Sequence, residues 1–276
     1  MTACAPNFLA VEFISKIVHV HISYAEWMQA SLPFALPLLL ALPVLTYVLY
    51  PPGVKSSAEV SIWAGSELRK MGTISRHEII LAVLVVGAIV LWVFGGSILD
   101  PTLTAFVAVA MMLVAGVVSW DDMAKNHTAW TTIMLLATLL TLADGLSRCG
   151  FVKWFADFVA AHAEGHSPML VLVVFVAIYF FSHYMFASLT AHTTAMMPVM
   201  LAAGLSVPGL SPVALATGLA MTTGLIGVLT PYATGAALPY YNSGYLTPAQ
   251  FWRLGAIFGA IFLAALLLVG LPLLHQ

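Results

Sequence analysis

Apolar residues fall along this chain in long, nearly unbroken runs, and the polar residues collect in the gaps between them. Crossing about 30 Å of hydrocarbon as a helix takes about 20 mostly apolar residues. Runs at 31–50, 79–96, 102–119 and 131–146 approach that length, and another at 168–187 leads into the polar stretch FASLTAHTTAMMP. Beyond it come runs at 195–205, 212–229 and 251–274. The run at 195–205 is too short to span, so the pattern predicts a re-entrant arm there. The expectation is an all-α polytopic membrane protein, with no soluble domain between the spans.

Composition agrees with the pattern. Of 276 residues, 62% are hydrophobic and 7% charged, against about a quarter charged in a soluble domain. The Lys and Arg residues are scattered, so no basic surface for nucleic acid is expected. Cys4 and Cys149 sit in or beside apolar sequence, and two cysteines do not make a disulfide framework. The opening MTACAPNFLAVEF lacks a basic n-region and cleavage site, so it does not read as a secretory signal. It enters an apolar segment directly, as though the chain began inside a longer fold.

Charge in the connections sets orientation. Lys55, Arg69, Lys70 and Arg76 lie between the first two runs, whereas GGSILDP after the next run has no basic residue. The positive-inside rule therefore places 51–78 in the cytoplasm as an interfacial linker. Counting crossings puts SWDDMAKNH inside and 148–167 outside. In the latter segment Phe151, Trp154, Phe155, Phe158 and Val159 recur at helical spacing, which predicts an amphipathic interfacial helix. A reporter that works only in the cytoplasm is expected to be active when fused near Lys70 and inactive at Gln276; the reverse pattern excludes this topology.

Two segments echo each other. TACAPNFLAVEF and TPYATGAALPYY each open on threonine and a small Pro-containing stretch, continue as a short apolar piece, and precede a helix start. Ser23 with Glu26, and Thr247 with Gln250, fit a capping box, the second with Pro248 where a missing N–H costs nothing. Repeats of this kind build many secondary transporters, with helix breaks meeting near the midplane.

The breaks carry the candidate chemistry. Pro, Gly and Asn in TACAPN and TPYATG interrupt helical hydrogen bonds, which a bilayer tolerates only where the freed groups are buried in protein or line a cavity. The stretch around Ser188 is a third interruption. Freed N–H groups at half-helix N-termini attract anions, and the hydroxyls of Ser188, Thr190, Thr193, Thr194, Thr230 and Thr234 can donate to carboxylate oxygens. Bonding back to the preceding turn would account for any one of them, but six at three breaks point to a small charged solute. Asp144, near the end of a run, reads as an interfacial group. HAEGH lacks the His-Glu-x-x-His order of a zinc site and reads as an interfacial loop. Ser188 and His192, at i and i+4, give a second reading as an intramembrane serine hydrolase, but no G-x-S-x-G elbow or orienting acid accompanies them.

SLTAHTTAMMPVMLAAG, LTPYATGAALPYYNSGYLTPAQFWRLG and TACAPNFLAVEF together resemble the divalent anion:sodium symporter superfamily, in its citrate:succinate, tartrate:succinate and plastid 2-oxoglutarate/malate exchanger branch. The resemblance covers essentially the whole chain. It implies an inverted-repeat fold in which each half holds a re-entrant hairpin and a helix broken near the midplane. Residues 1–50 would end the first repeat, which would be largely missing, and 79–276 would form the second, with its hairpin around 168–205 and its broken helix around 212–245. It further implies exchange of di- and tricarboxylates such as citrate, succinate, tartrate, malate or 2-oxoglutarate by alternating access, in a homodimer of the bacterial inner membrane, with no enzyme activity, metal or cofactor. The substrate would meet Ser188, Thr190, His192 and Thr193 at the hairpin, Thr230, Pro231, Ala233 and Thr234 at one break, and Thr2, Pro6 and Asn7 at the other. Leu189 stands where sodium-coupled members carry Asn, which implies exchange rather than sodium coupling. His192 is expected to offset substrate charge, since the three breaks hold no Lys or Arg. The other reading is a truncated, non-transporting fragment that needs a partner half.

Overall fold

The computed structural model describes residues 4–53, 58–95, 100–127, 165–186 and 188–274 throughout, and a subset of positions between 129 and 162. Thr2, Asp144, Phe155, Val159, Glu164 and much of the expected 131–146 run lie outside the described residues. In chain order the helices are α1 (Ala5–Ile17), α2 (Tyr24–Leu49), α3 (Ala58–Met71), α4 (Arg76–Phe94), α5 (Pro101–Val114) and α6 (Trp120–Ala124). They continue as α7 (Pro168–Ser182), α8 (Leu189–Leu205), α9 (Pro212–Leu225), α10 (Ala237–Asn242) and α11 (Pro248–Ala265). A π-helical turn (Leu266–Gly270) carries α11 into α12 (Leu271–Leu274), so that Pro248–Leu274 is one apolar helix. Among the described residues, Tyr24–Leu49, Arg76–Phe94, Pro168–Met185 and Pro248–Leu274 are long and apolar enough to cross a membrane.

Helix starts follow local chemistry. A helix leaves its first N–H groups without partners, and in a nearly anhydrous setting each must find one. Ser23 accepts from the Glu26 N–H at 3.2 Å while the Glu26 carboxylate accepts from the Ser23 N–H at 2.7 Å, opening α2. Ser75 with Glu78 and Thr247 with Gln250 close the same reciprocal box at α4 and α11. Ser167, Ser188 and Ser211 cap α7, α8 and α9 through their hydroxyls. Pro168, Pro212 and Pro248 each follow such a cap, where proline has no helical N–H to lose.

Two runs divide differently from the pattern of apolar residues. The 102–119 run stops at Val114, because Gly116 turns left-handed at φ +68° and the Met112 carbonyl accepts from Val117 at 3.0 Å, closing the helix end. α5 is therefore 14 residues, about 21 Å long. The apolar run expected at 195–205 belongs to a helix that starts at Leu189, because Ser188 caps it and the polar Thr190-to-Thr194 segment winds into the helix. The resulting 17-residue helix is about 26 Å.

The chain forms two units, Met1–Ala41 with Thr132–Gln276, and Leu42–Thr131. In the first, α9 is the central helix. Every residue from Ala214 to Thr223 is buried, and α1, α7, α8 and α12 pack around it. Gly218 permits the close approach of α12 and α7, since a Cβ there would stand 3.0 Å from Leu271 Cδ2 and 3.5 Å from Val176 Cγ2. Leu172, Val176, Tyr179 and Phe180 of α7, Met197 and Leu201 of α8, and Ala10 and Ile14 of α1 complete this core. Phe151, tilted against Trp154, and Phe158, stacked on it, lie with centroids 5.7 and 6.1 Å from its ring, an exposed aromatic row. In the second unit α4 lies against α5, with Ala88 buried and Val83, Val86, Phe106 and Val107 exposed. Outward apolar faces of this kind are what a lipid solvent calls for.

Candidate functional site

Three chain breaks of the first unit meet at one place. α7 ends in a single 3-10 turn, His183–Met185, after which Phe186 is extended and Ser188, also extended at φ −162°, begins α8. The Ser188 hydroxyl accepts from the Ala191 N–H at 3.1 Å. α9 likewise ends in a 3-10 turn, Ile226–Val228, and the chain then runs irregularly from Thr230 to Gly235 before α10. The Leu189 N–H donates to the Ala233 carbonyl at 3.1 Å, which ties the start of α8 to this break. Thr234 steadies the far side, its carbonyl and hydroxyl accepting from the Ala237 N–H at 3.1 and 3.2 Å. The third element is the start of α1, where Cys4 is extended and its carbonyl accepts from the Asn7 N–H at 3.1 Å.

Between them lies a cleft of about 250 Å³, lined by Cys4, Pro6, Ser188, Leu189, Thr190, Tyr232, Ala233, Thr234 and Gly235. It is smaller than the roughly 300–1,000 Å³ of drug-sized pockets. Among the described residues no lining side chain is a carboxylate, ammonium or guanidinium. The N-termini of α1 and α8 both open on it, each bringing the positive end of its helix dipole, about half a charge. Leu189 contributes hydrocarbon and no oxygen.

Five of the residues expected at the site thus come together at the cleft: Pro6, Ser188, Thr190, Ala233 and Thr234. Asn7, His192, Thr193, Thr230 and Pro231 are buried and not among the lining residues, and Thr2 lies outside the described residues. Thr194 donates back to the Thr190 carbonyl at 2.7 Å, the ordinary use of a threonine within a helix. Tyr232 and Cys4 line the cleft without having been singled out in the sequence. Their positions inside two recognised breaks were the available signal.

Next to the start of α8 lies a buried polar cluster. His192 Nε2 lies 2.9 Å from Ser182 Oγ, and the Ser182 hydroxyl donates to the Tyr179 carbonyl at 3.0 Å. With the single Ser182 hydrogen spent on the Tyr179 carbonyl, the contact is completed by an Nε2–H of His192. Tyr179 Oη meets Thr223 Oγ1 at 3.0 Å, and His183 Nε2 lies 3.4 Å from Thr230 Oγ1. The rings of His183 and His192 meet edge to face with centroids 5.3 Å apart. Ser188 therefore caps a helix while His192 engages Ser182, and a Ser188–His192 hydrolytic dyad is not formed. Among the described residues no group of three or more His, Cys, Asp or Glu could hold a metal ion.

The model of a family described as the sodium:sulfate symporter transmembrane region matches residues 1–274. The citrate/succinate antiporter of Escherichia coli (strain K12) is 45% identical over 274 residues, covering 99% of this chain and 56% of that protein. The L-tartrate/succinate antiporters of Shigella sonnei (strain Ss046) and of Escherichia coli (strain K12) are each 42% identical over 271 residues, 98% of this chain and 56% of theirs. The chain spans about half the length of the curated relatives it matches.

Proposed function

Because the chain belongs to the sodium:sulfate symporter transmembrane family, we propose that it is the substrate-binding part of a membrane carrier that exchanges di- or tricarboxylates by alternating access. The setting we propose is the bacterial inner membrane, with the carrier acting as a homodimer. The observation that carries the reading is the convergence of two helix N-termini on a cleft edged by the hydroxyls of Ser188, Thr190 and Thr234 and, among the described residues, free of carboxylates.

A dicarboxylate brings about two negative charges, and leaving either without compensation in a desolvated site costs several kcal/mol. Two helix ends offset about one charge. Hydroxyl donors cover part of the remainder, because a hydrogen bond to a charged group contributes about 1.5–3 kcal/mol against about 1 for a neutral pair. Ser188 and Thr190 hold the carboxylate from the hairpin, and Thr234 holds it from the break. Their relative position is fixed by the Leu189–Ala233 backbone bond. Exchange then requires this cleft to be exposed to the two sides in turn, with return favoured only when it is loaded. Leu189 offers no ligand oxygen for a cation, so exchange proceeds without cation coupling.

Cys4 makes the cleft chemically readable, since its thiol lines it. In a Cys149→Ser background, which removes the other thiol, a small methanethiosulfonate reagent is expected to modify Cys4. Succinate or citrate is expected to slow that reaction several-fold, equally in sodium and in choline salts, while acetate does not. A rate indifferent to all three acids overturns the carboxylate reading, and protection that requires sodium overturns the uncoupled form of it.

A further inference from the structure

One lining side chain is out of scale with the others. Among the described residues the side chains around the cleft are Cys, Pro, Ser, Thr, Ala and Leu, with Tyr232 the single aromatic. Tyr232 is also held from outside. Its ring meets that of Trp252, on the second turn of α11, edge to face with centroids 6.1 Å apart. Trp252 in turn stacks on Tyr184 of the 3-10 turn before the hairpin tip, with centroids 6.2 Å apart and an interplanar angle of 24°. The Tyr232 hydroxyl donates to the Tyr184 carbonyl at 3.4 Å.

We propose that Tyr232 is the specificity-determining residue of the cleft, its ring limiting the size of the carboxylate, with Trp252 a positioning residue that braces it. The inference rests on the carboxylate reading above and adds to it the determinant of substrate size. The single hydrogen of the phenol is directed to the Tyr184 carbonyl, so the ring acts by the space it fills rather than by donating to substrate. The Trp252 and Tyr184 rings stop it from swinging away when a larger anion enters. Because the brace joins α11, the break and the turn before the hairpin, the ring keeps its place while the hydroxyls at the tip engage the carboxylate.

The test is the preference between a branched C6 tricarboxylate and an unbranched C4 dicarboxylate, read as the ratio of the citrate and succinate concentrations that half-protect Cys4. Tyr232→Ala is expected to shift this ratio towards citrate by about tenfold, the scale on which pocket size discriminates. Tyr232→Phe is expected to leave it unchanged, and Trp252→Ala to shift it the same way by a smaller factor. A merely structural loss would weaken protection by both acids together and leave the ratio alone. An unchanged ratio in Tyr232→Ala overturns the proposal, as does a Tyr232→Phe shift equal to that of Tyr232→Ala. If Tyr232→Ala does not insert, Trp252→Ala decides the matter on the same ratio. Failure of both acids to protect the unsubstituted protein is a different result and counts against the carboxylate reading itself.

Discussion

Replacing Gly255 by alanine is expected to destabilise the first unit more than the same change at Gly259, although both glycines lie on one face of α11. A Cβ on Gly255 would stand 2.8 Å from the Val228 carbonyl oxygen and 3.1 Å from that of Leu229, both backbone atoms. At Gly259 the added Cβ would press on Leu229 Cδ2, the movable end of a side chain. Backbone cannot step aside as a leucine methyl can. Overpacking of this kind costs about 1–3 kcal/mol, and the gain of about 1 kcal/mol from putting alanine for glycine in a helix offsets part of it at either site. Gly255→Val adds bulk without that gain and is expected to be the worst of the three, with a melting temperature lower by several degrees. Thermal unfolding of the purified variants in detergent checks the order. Gly255→Ala as stable as the parent, or milder than Gly259→Ala, would show that α11 does not press on the chain before the break.

That contact matters for function because Val228 and Leu229 lead directly into Thr230 and the irregular segment. A displacement there moves Ala233, whose carbonyl holds the Leu189 N–H at the hairpin tip. Gly255→Ala is therefore expected to weaken carboxylate protection of Cys4 as well as stability. The small-residue pair spaced four apart, Gly255 and Gly259, serves here to let a helix lie close to a helix end, as small residues do between membrane helices.

Much of this arrangement was legible in the residues because it depends on short-range chemistry. Ser23 with Glu26 and Thr247 with Gln250 are capping boxes in the sequence and in the structure, since both partners lie within one helical turn. Ser188, Thr190, Thr234 and Pro6 meet at one cleft because each sits at a break whose freed backbone groups need the same sheltered place. What escaped the sequence was set by the direction in which side chains point. Thr230 and Thr234 lie in one short segment, yet one is buried beside His183 and the other edges the cleft. The left-handed Gly116 that ends α5 early was hidden in a run whose apolar character continues past it. Trp252 was read only as part of an apolar span, because its contact with Tyr232 joins residues of different elements.

His192 is the sharpest case, and its variants are expected to rank in the order the neutral tautomer dictates. The sequence suggested an imidazolium offsetting substrate charge, whereas the side chain is fully buried and surrounded by the rings of Tyr179, His183 and Phe186 at 4.4, 5.3 and 5.0 Å. None of these carries a negative charge. Its Nε2–H reaches Ser182, at the end of α7, and so pins the first turn of α8 to the helix that precedes the hairpin tip. His192→Gln can keep a donor towards Ser182 and is expected to lose no more than about 1 kcal/mol. His192→Ala leaves Ser182 without its donor and opens a cavity, for a larger loss of roughly 2–5 kcal/mol. His192→Lys places an ammonium where no counter-charge waits, which costs several kcal/mol and is expected to be the most damaging. If the imidazolium were needed to hold the anion, the order would invert, with Lys retaining carboxylate protection better than Gln. Thermal stability and Cys4 protection measured for the three variants between about pH 6 and pH 8 separate the two orders. Because a neutral pin has no proton to lose over that range, the Gln variant and the parent should share one flat pH profile for carboxylate affinity. A parent affinity that falls as the pH rises, with the Gln variant flat and weak, would restore the charged role.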